Sequence, residues 1–121
     1  DLNGDGSLEI IMSPGVGVPV LWANRCTAGA WLQIDLEGPG LNAQAFGARV
    51  DVHAGDRRWT QELQGPRALG QSPARLHFGL GDRALVDQVR VRWPDGQTSS
   101  FDNIPTRRIV TIRHPSRTTA P

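Results

Sequence analysis

Trp31-Leu32-Gln33-Ile34-Asp35-Leu36-Glu37-Gly38 sets apolar Leu32, Ile34 and Leu36 against polar Gln33 and Asp35 in strict alternation. Successive side chains on a strand point to opposite faces, so a period of two marks a half-buried strand. A helix would scatter the same apolar residues around its axis. Gly38-Pro39-Gly40 ends the segment.

The same signature recurs along the chain. Ala48, Val50, Val52 and Ala54 interleave with Arg49, Asp51 and His53, and Gly55-Asp56 turns into residues 57–63 as a hairpin. Leu76, Phe78 and Leu80 face one way with His77 opposite. Gly79 and Gly81 flank Leu80, which predicts a bulge or a crowded backbone. Val89, Val91 and Trp93 alternate with Arg90 and Arg92. Pro94-Asp95-Gly96 is a turn before residues 97–101, and Val110 and Ile112 mark a closing strand. Upstream, residues 8–12 read as a strand leaving a polar loop, residues 14–19 as a turn, and Val20-Leu21-Trp22 as a short apolar segment. Roughly eight short strands, with turn signals about every 8–12 residues, give an all-β fold: an antiparallel β-sandwich or a barrel-like module.

Composition agrees. A chain of 121 residues suffices for one domain, and 14 Gly and 9 Pro punctuate it heavily. Every basic residue is Arg, yet 13 bases against 12 acids leave a net charge of only +1. So balanced a chain is poorly suited to tracking a phosphate backbone, which argues against nucleic acid as partner. The single Cys26 excludes an internal disulfide framework and reads as a small filler. No apolar run is long enough for a membrane span. The sequence opens at Asp1, already inside a motif, as expected of a C-terminal piece, so the missing signal peptide is silent on export.

That motif is Asp1-Leu2-Asn3-Gly4-Asp5-Gly6-Ser7-Leu8-Glu9. Asp1, Asn3, Asp5 and Glu9 place side-chain oxygens at loop positions 1, 3, 5 and 9, and Gly6 permits the turn that brings in the Ser7 carbonyl. Calcium, a hard cation that takes six to eight oxygen ligands, is the expected cofactor, in a structural role. The bidentate Glu of an EF-hand is missing, since position 12 is Met12, and a strand rather than a helix follows. A solvated Asx-rich turn is the plain alternative.

The loop resembles the calcium loop of FG-GAP/VCBS-type repeats, which build β-propeller blades. The remainder is similar to the ASPIC/UnbV domain, found after such repeats in exported bacterial proteins and in relatives of cartilage acidic protein. The resemblance rests on residues 31–38, Asn42, Gly47-Ala48-Arg49-Val50, residues 76–81, Val86-Asp87, residues 89–96 and the strand at 109–112. Ala43 departs from it, because the family often has Arg after the Asn. The implied organisation is a repeat remnant at 1–23, an ASPIC/UnbV-like domain at 24–115 and a flexible tail at 116–121. The resemblance implies a secreted, periplasmic or cell-surface protein with propeller repeats upstream. Its role would be non-catalytic adhesion or recognition of a protein or glycan, not an enzyme's. A strand edge left exposed by such a piece invites pairing with a second copy.

Other chemistry is sparser. His53, His77 and His114 show no metal-ligand spacing. Of the four Trp, residues 31, 59 and 93 suit the core or its rim, while Trp22 or Trp59, exposed, would stack on a sugar ring in a carbohydrate-binding module. His77, between two core positions, joins Trp22 and Trp59 as a candidate ligand-binding residue. Asp82, Asp87, Asp95 and Asp102 offer carboxylates for a hydrolase if they converge in a cleft. Arg49, Arg90 and Arg92 fall on outward strand positions that neighbouring strands can align into a stripe, with cross-strand pairing to Asp51 or Asp87 as the simpler account.

Overall fold

The computed structural model describes residues 1–26, 29–66 and 73–117. In these residues nine strands follow in order: β1 (Ile10–Met12), β2 (Val20–Trp22), β3 (Ala30–Glu37), β4 (Arg49–Ala54), β5 (Arg57–Glu62), β6 (Arg75–Gly81), β7 (Leu85–Arg92), β8 (Thr98–Pro105) and β9 (Arg108–Arg113). Residues 118–121 of the expected tail lie outside the described residues. Ser116 and Arg117, placed in that tail from the sequence, belong instead to a 3-10 turn, Pro115–Arg117.

Two open sheets face each other, so of the two expected architectures the chain adopts the sandwich and not a closed barrel. One sheet has the order β6-β3-β9 and the other β5-β4-β7-β8, while β1 and β2 pair separately. Every pairing is antiparallel except that of β3 with β9. The deciding strand is thus the centre of its sheet.

The alternating residues close over one interior. Leu32, Ile34, Val50, Val52, Leu80, Val89 and Val91 have no exposed surface, and Phe78, Trp93 and Ile112 join them. Each such side chain contributes about 1.5–3 kcal/mol by leaving water. Val86 and Val89 are both buried although three residues apart. The phase slips at Asp87, which drops out of the β7–β8 ladder where Asn103 takes a left-handed φ of 57°.

The bulge foreseen near Gly79 and Gly81 is present. Ala30 pairs with Gly81 but Trp31 with Gly79, which leaves Leu80 over. Asn42 clasps the loop after β3, its amide accepting from Phe46 N–H and donating to Phe46 C=O, both at 2.9 Å. Gly38 fits beneath this clasp, since a Cβ there would lie 2.3 Å from the Asn42 carbonyl. Ala43, the position that departs from the family pattern, is exposed.

Candidate metal centre and its docking face

Trp31 and Gln33 point away from the sandwich interior, yet they are only 8% and 3% exposed. The cover is the N-terminal loop. Gly6 lies flat on the Trp31 indole, so close that a Cβ on it would fall 1.9 Å from Cδ1. His77, on the neighbouring strand β6, stacks beside Trp31 with ring planes 11° apart. Its Nε2–H donates to the Gly6 carbonyl at 3.0 Å. The sequence placed His77 on an outward face, where it indeed sits. That the loop docks there has no signature in strand periodicity, because contacts between residues 71 apart are invisible to it.

The loop is internally ordered. Asp5 N–H donates to Asn3 Oδ1, the Asn3 amide donates to Asp5 Oδ2, and Ser7 N–H donates to Asp5 Oδ1. The Ser7 N–H, followed by the Asn3 amide, holds the Asp5 carboxyl below the ordinary carboxylate range. Leu2 N–H donates to Glu9 Oε2 at 2.8 Å.

Asp1 ties this loop to the sheet. Its Oδ2 accepts from Gly6 N–H at 3.1 Å and from Gln33 Nε2 at 2.6 Å. Gln33 in turn accepts from Arg75, which grips Asp35 through two bonds of 2.7 Å. Asp1 and Glu9 have side chains only 6% and 7% exposed. Asp1 Oδ1 is buried without a hydrogen-bond partner. A buried carboxylate oxygen with nothing to bond is costly, and a cation is the ordinary remedy. The donors of the loop are all oxygens, as a hard cation requires. Among the described residues no three His, Cys, Asp or Glu side chains already converge to hold a metal. Beside the loop, Asp1, Leu8, Glu9, Gln33, Gln61, Arg75 and His77 border an open groove of about 520 Å³.

The residues proposed to meet a sugar are not gathered. Trp22 is exposed on β2, Trp59 lies on β5 and His77 on β6, in three different sheets. Trp59 shares a face with Val52, packs against the core, and carries the Arg83 guanidinium over its ring at 5.6 Å.

The carboxylates imagined for a hydrolase are scattered. Asp82 precedes β7 and Asp95 follows it, so the length of a strand separates them. Asp87 accepts from Gly55 N–H, and Asp102 from Gln88. Asp95 serves the turn and His114, whose Nε2 lies 3.0 Å away. None of the four borders the groove beside the loop.

His114 is what the sequence concealed. Expected loosely near the tail, it is 1% exposed, packs edge-on against Trp93, and accepts at Nδ1 from Ser116 N–H. Ser116, His114 and Asp95 are the residue types of a nucleophilic triad, but the serine sits two residues from a sealed histidine. The trio is a clasp that fastens the chain's last turn to the β7–β8 turn.

A family model described as ASPIC and UnbV matches residues 38–119. The chain belongs to the ASPIC and UnbV family. No curated protein matches the sequence. The ASPIC and UnbV match opens just after β3, although β3 is the middle strand of its sheet. The N-terminal loop and the β1–β2 pair also precede the match. Among the described residues no helix is long and apolar enough to cross a membrane.

Proposed function

We propose that this chain is a non-catalytic recognition module of an exported protein, and that calcium fastens its N-terminal loop to the outer face of the three-stranded sheet. The observation carrying this reading is the buried, unpartnered Oδ1 of Asp1, within a loop whose donors are all oxygens. Asp1, Asn3, Asp5, the Ser7 carbonyl and Glu9 are the groups that would hold the ion. Bound there, calcium supplies positive charge that relieves the repulsion among the loop's carboxylates. The residues do the rest. Gln33 orients Asp1, His77 holds the Gly6 carbonyl, and Trp31 gives the loop an apolar floor.

The β1–β2 pair supports a partner upstream. Ile10, Ile11, Met12, Val20, Leu21 and Trp22 are all exposed, on a two-stranded sheet that is marginal by itself. Propeller repeats preceding Asp1 are the partner we propose, and their absence from the full-length protein would remove it.

Thermal melts with calcium and with chelator test the metal. Stabilisation by mass action is about 2.7 kcal/mol at a hundredfold excess over Kd, so a clear rise in Tm is expected with calcium. Glu9→Gln should blunt the rise. Superimposable wild-type curves would take calcium out of the account.

A further inference from the structure

On the opposite side of the sandwich, β4, β5, β7 and β8 bring together a second surface. Residues 49 and 51 alternate outward with the buried Val50 and Val52, and the cross-strand register sets Arg49 against Arg92 and Asp51 against Arg90. Arg90 and Arg92 lie in turn against Ser100 and Thr98. With Arg58 they enclose an open groove of about 520 Å³. Four guanidinium groups thus face one carboxylate, in a chain whose whole net charge is +1.

The expected cross-strand pairing neutralises only part of this. Asp51 bonds Arg58 at 2.9 Å and lies 3.7 Å from Arg49. Asp87 is occupied by Gly55 N–H. The Arg90 side chain reaches only Gln88, at 3.5 Å, and among the described residues the Arg92 side chain has no ion pair or hydrogen bond. Like charges directly opposed on a sheet are unfavourable, so the Arg49–Arg92 pair calls for an anion.

We propose that this groove binds an acidic polysaccharide, whose anionic substituents sit on the guanidiniums and whose hydroxyls bond Asp51, Thr98 and Ser100. Guanidinium forks match carboxylate and sulfate oxygens alike. The central Asp51 selects among polyanions. Desolvation is the largest single influence on its carboxyl and acts upward, but the bonds from Thr60 and Arg58 and the charges of Arg58 and Arg49 together bring it below its ordinary range. A negative charge in mid-groove at neutral pH repels a strand of closely spaced phosphates and accepts sugar hydroxyls. Among the described residues no aromatic ring borders the groove, which leaves a nucleic-acid base nothing there to stack on. This names a ligand class for the recognition role proposed above, and it rests on that role but not on calcium. A flat calcium melt would remove the metal alone, and the results below bear on the groove alone.

The test uses the whole chain in low-salt, calcium-containing buffer and four fluorescent probes: dextran, dextran sulfate, carboxymethyl-dextran and a single-stranded oligonucleotide of matched charge. Binding to either anionic dextran, with neutral dextran silent, supports the groove, and the arm that binds identifies sulfate or carboxylate. The Arg90→Ala/Arg92→Ala double variant should weaken binding about tenfold or more. Arg49→Ala, on a different strand, should weaken it less, and thermal melts confirm that both variants fold. Asp51→Asn should narrow the preference for anionic dextran over the oligonucleotide. Silence from both anionic dextrans, affinity unchanged in the folded double variant, or an oligonucleotide bound as tightly as the dextrans would each overturn the proposal.

Discussion

The two outer faces of this sandwich have the same alternation beneath them and opposite fates. On the three-stranded sheet, Trp31, Gln33 and His77 point outward and are roofed by a polar loop. On the four-stranded sheet, Arg49, Arg58, Arg90 and Arg92 point outward and stay open. The difference lies in what the outward side chains offer. An indole beside an imidazole provides a flat floor for a glycine-bearing loop, with amide and ring donors for its oxygens. Arginines at the same kind of position stay exposed to solvent. One face has become part of the protein's interior, while the other remains available to something else.

The largest effect should come from removing the floor. Trp31→Ala deletes a buried aromatic and should cost about 3–5 kcal/mol in urea unfolding. Arg92→Ala, on the open face, should stay within about 0.5 kcal/mol. If the two changes cost the same, the roofed face is not part of the cooperative structure. A finer cut comes from the glycines of the loop. Gly6 has φ +89° and no room for a methyl group, whereas Gly4 has φ +75° and open space around it. Gly6→Ala should therefore cost about 1–3 kcal/mol and red-shift tryptophan emission as the loop lifts from Trp31. Gly4→Ala should cost only about 1 kcal/mol, with emission unchanged. Equal spectra from the two variants would mean that the loop is not seated on the indole.

Much of the fold was legible because burial and alternation are the same fact seen twice. Leu32, Ile34, Val50, Val52, Phe78, Val89 and Val91 all point inward as their spacing demands. The slip at Asp87 escaped because it depends on a left-handed Asn103 in the partner strand, which no property of β7 announces. The site was legible only in its residue types. Oxygen donors at alternating positions mark a cation loop, but its resting place on Trp31 and His77 is a long-range contact without a local signal. The same holds for His114. Its neighbours in sequence look like a tail, and only the fold brings Asp95 and Trp93 to it.

The smallest effect concerns the open face alone. Among the described residues lining this groove Asp51 is the one carboxylate, and its carboxyl is held below the ordinary value of 3.8. A carboxyl whose folded pKa is depressed contributes stability above its unfolded pKa, and that contribution is lost as pH falls through the lower folded value. The four-stranded sheet should therefore loosen only in acid, below about pH 4, as Asp51 takes a proton and the guanidiniums repel one another unopposed. Since Arg49 and Arg58 remain substantially exposed, solvent screening keeps the change to a few tenths of a kcal/mol. Amide exchange along β4 and β5 should accelerate over that interval in the wild type. Asp51→Asn should be faster already at neutral pH and nearly indifferent to acid, and 0.5 M salt should flatten both responses, about 4 Å being the effective reach of charge there. If Asp51→Asn keeps the wild-type acid response, another carboxyl governs this face.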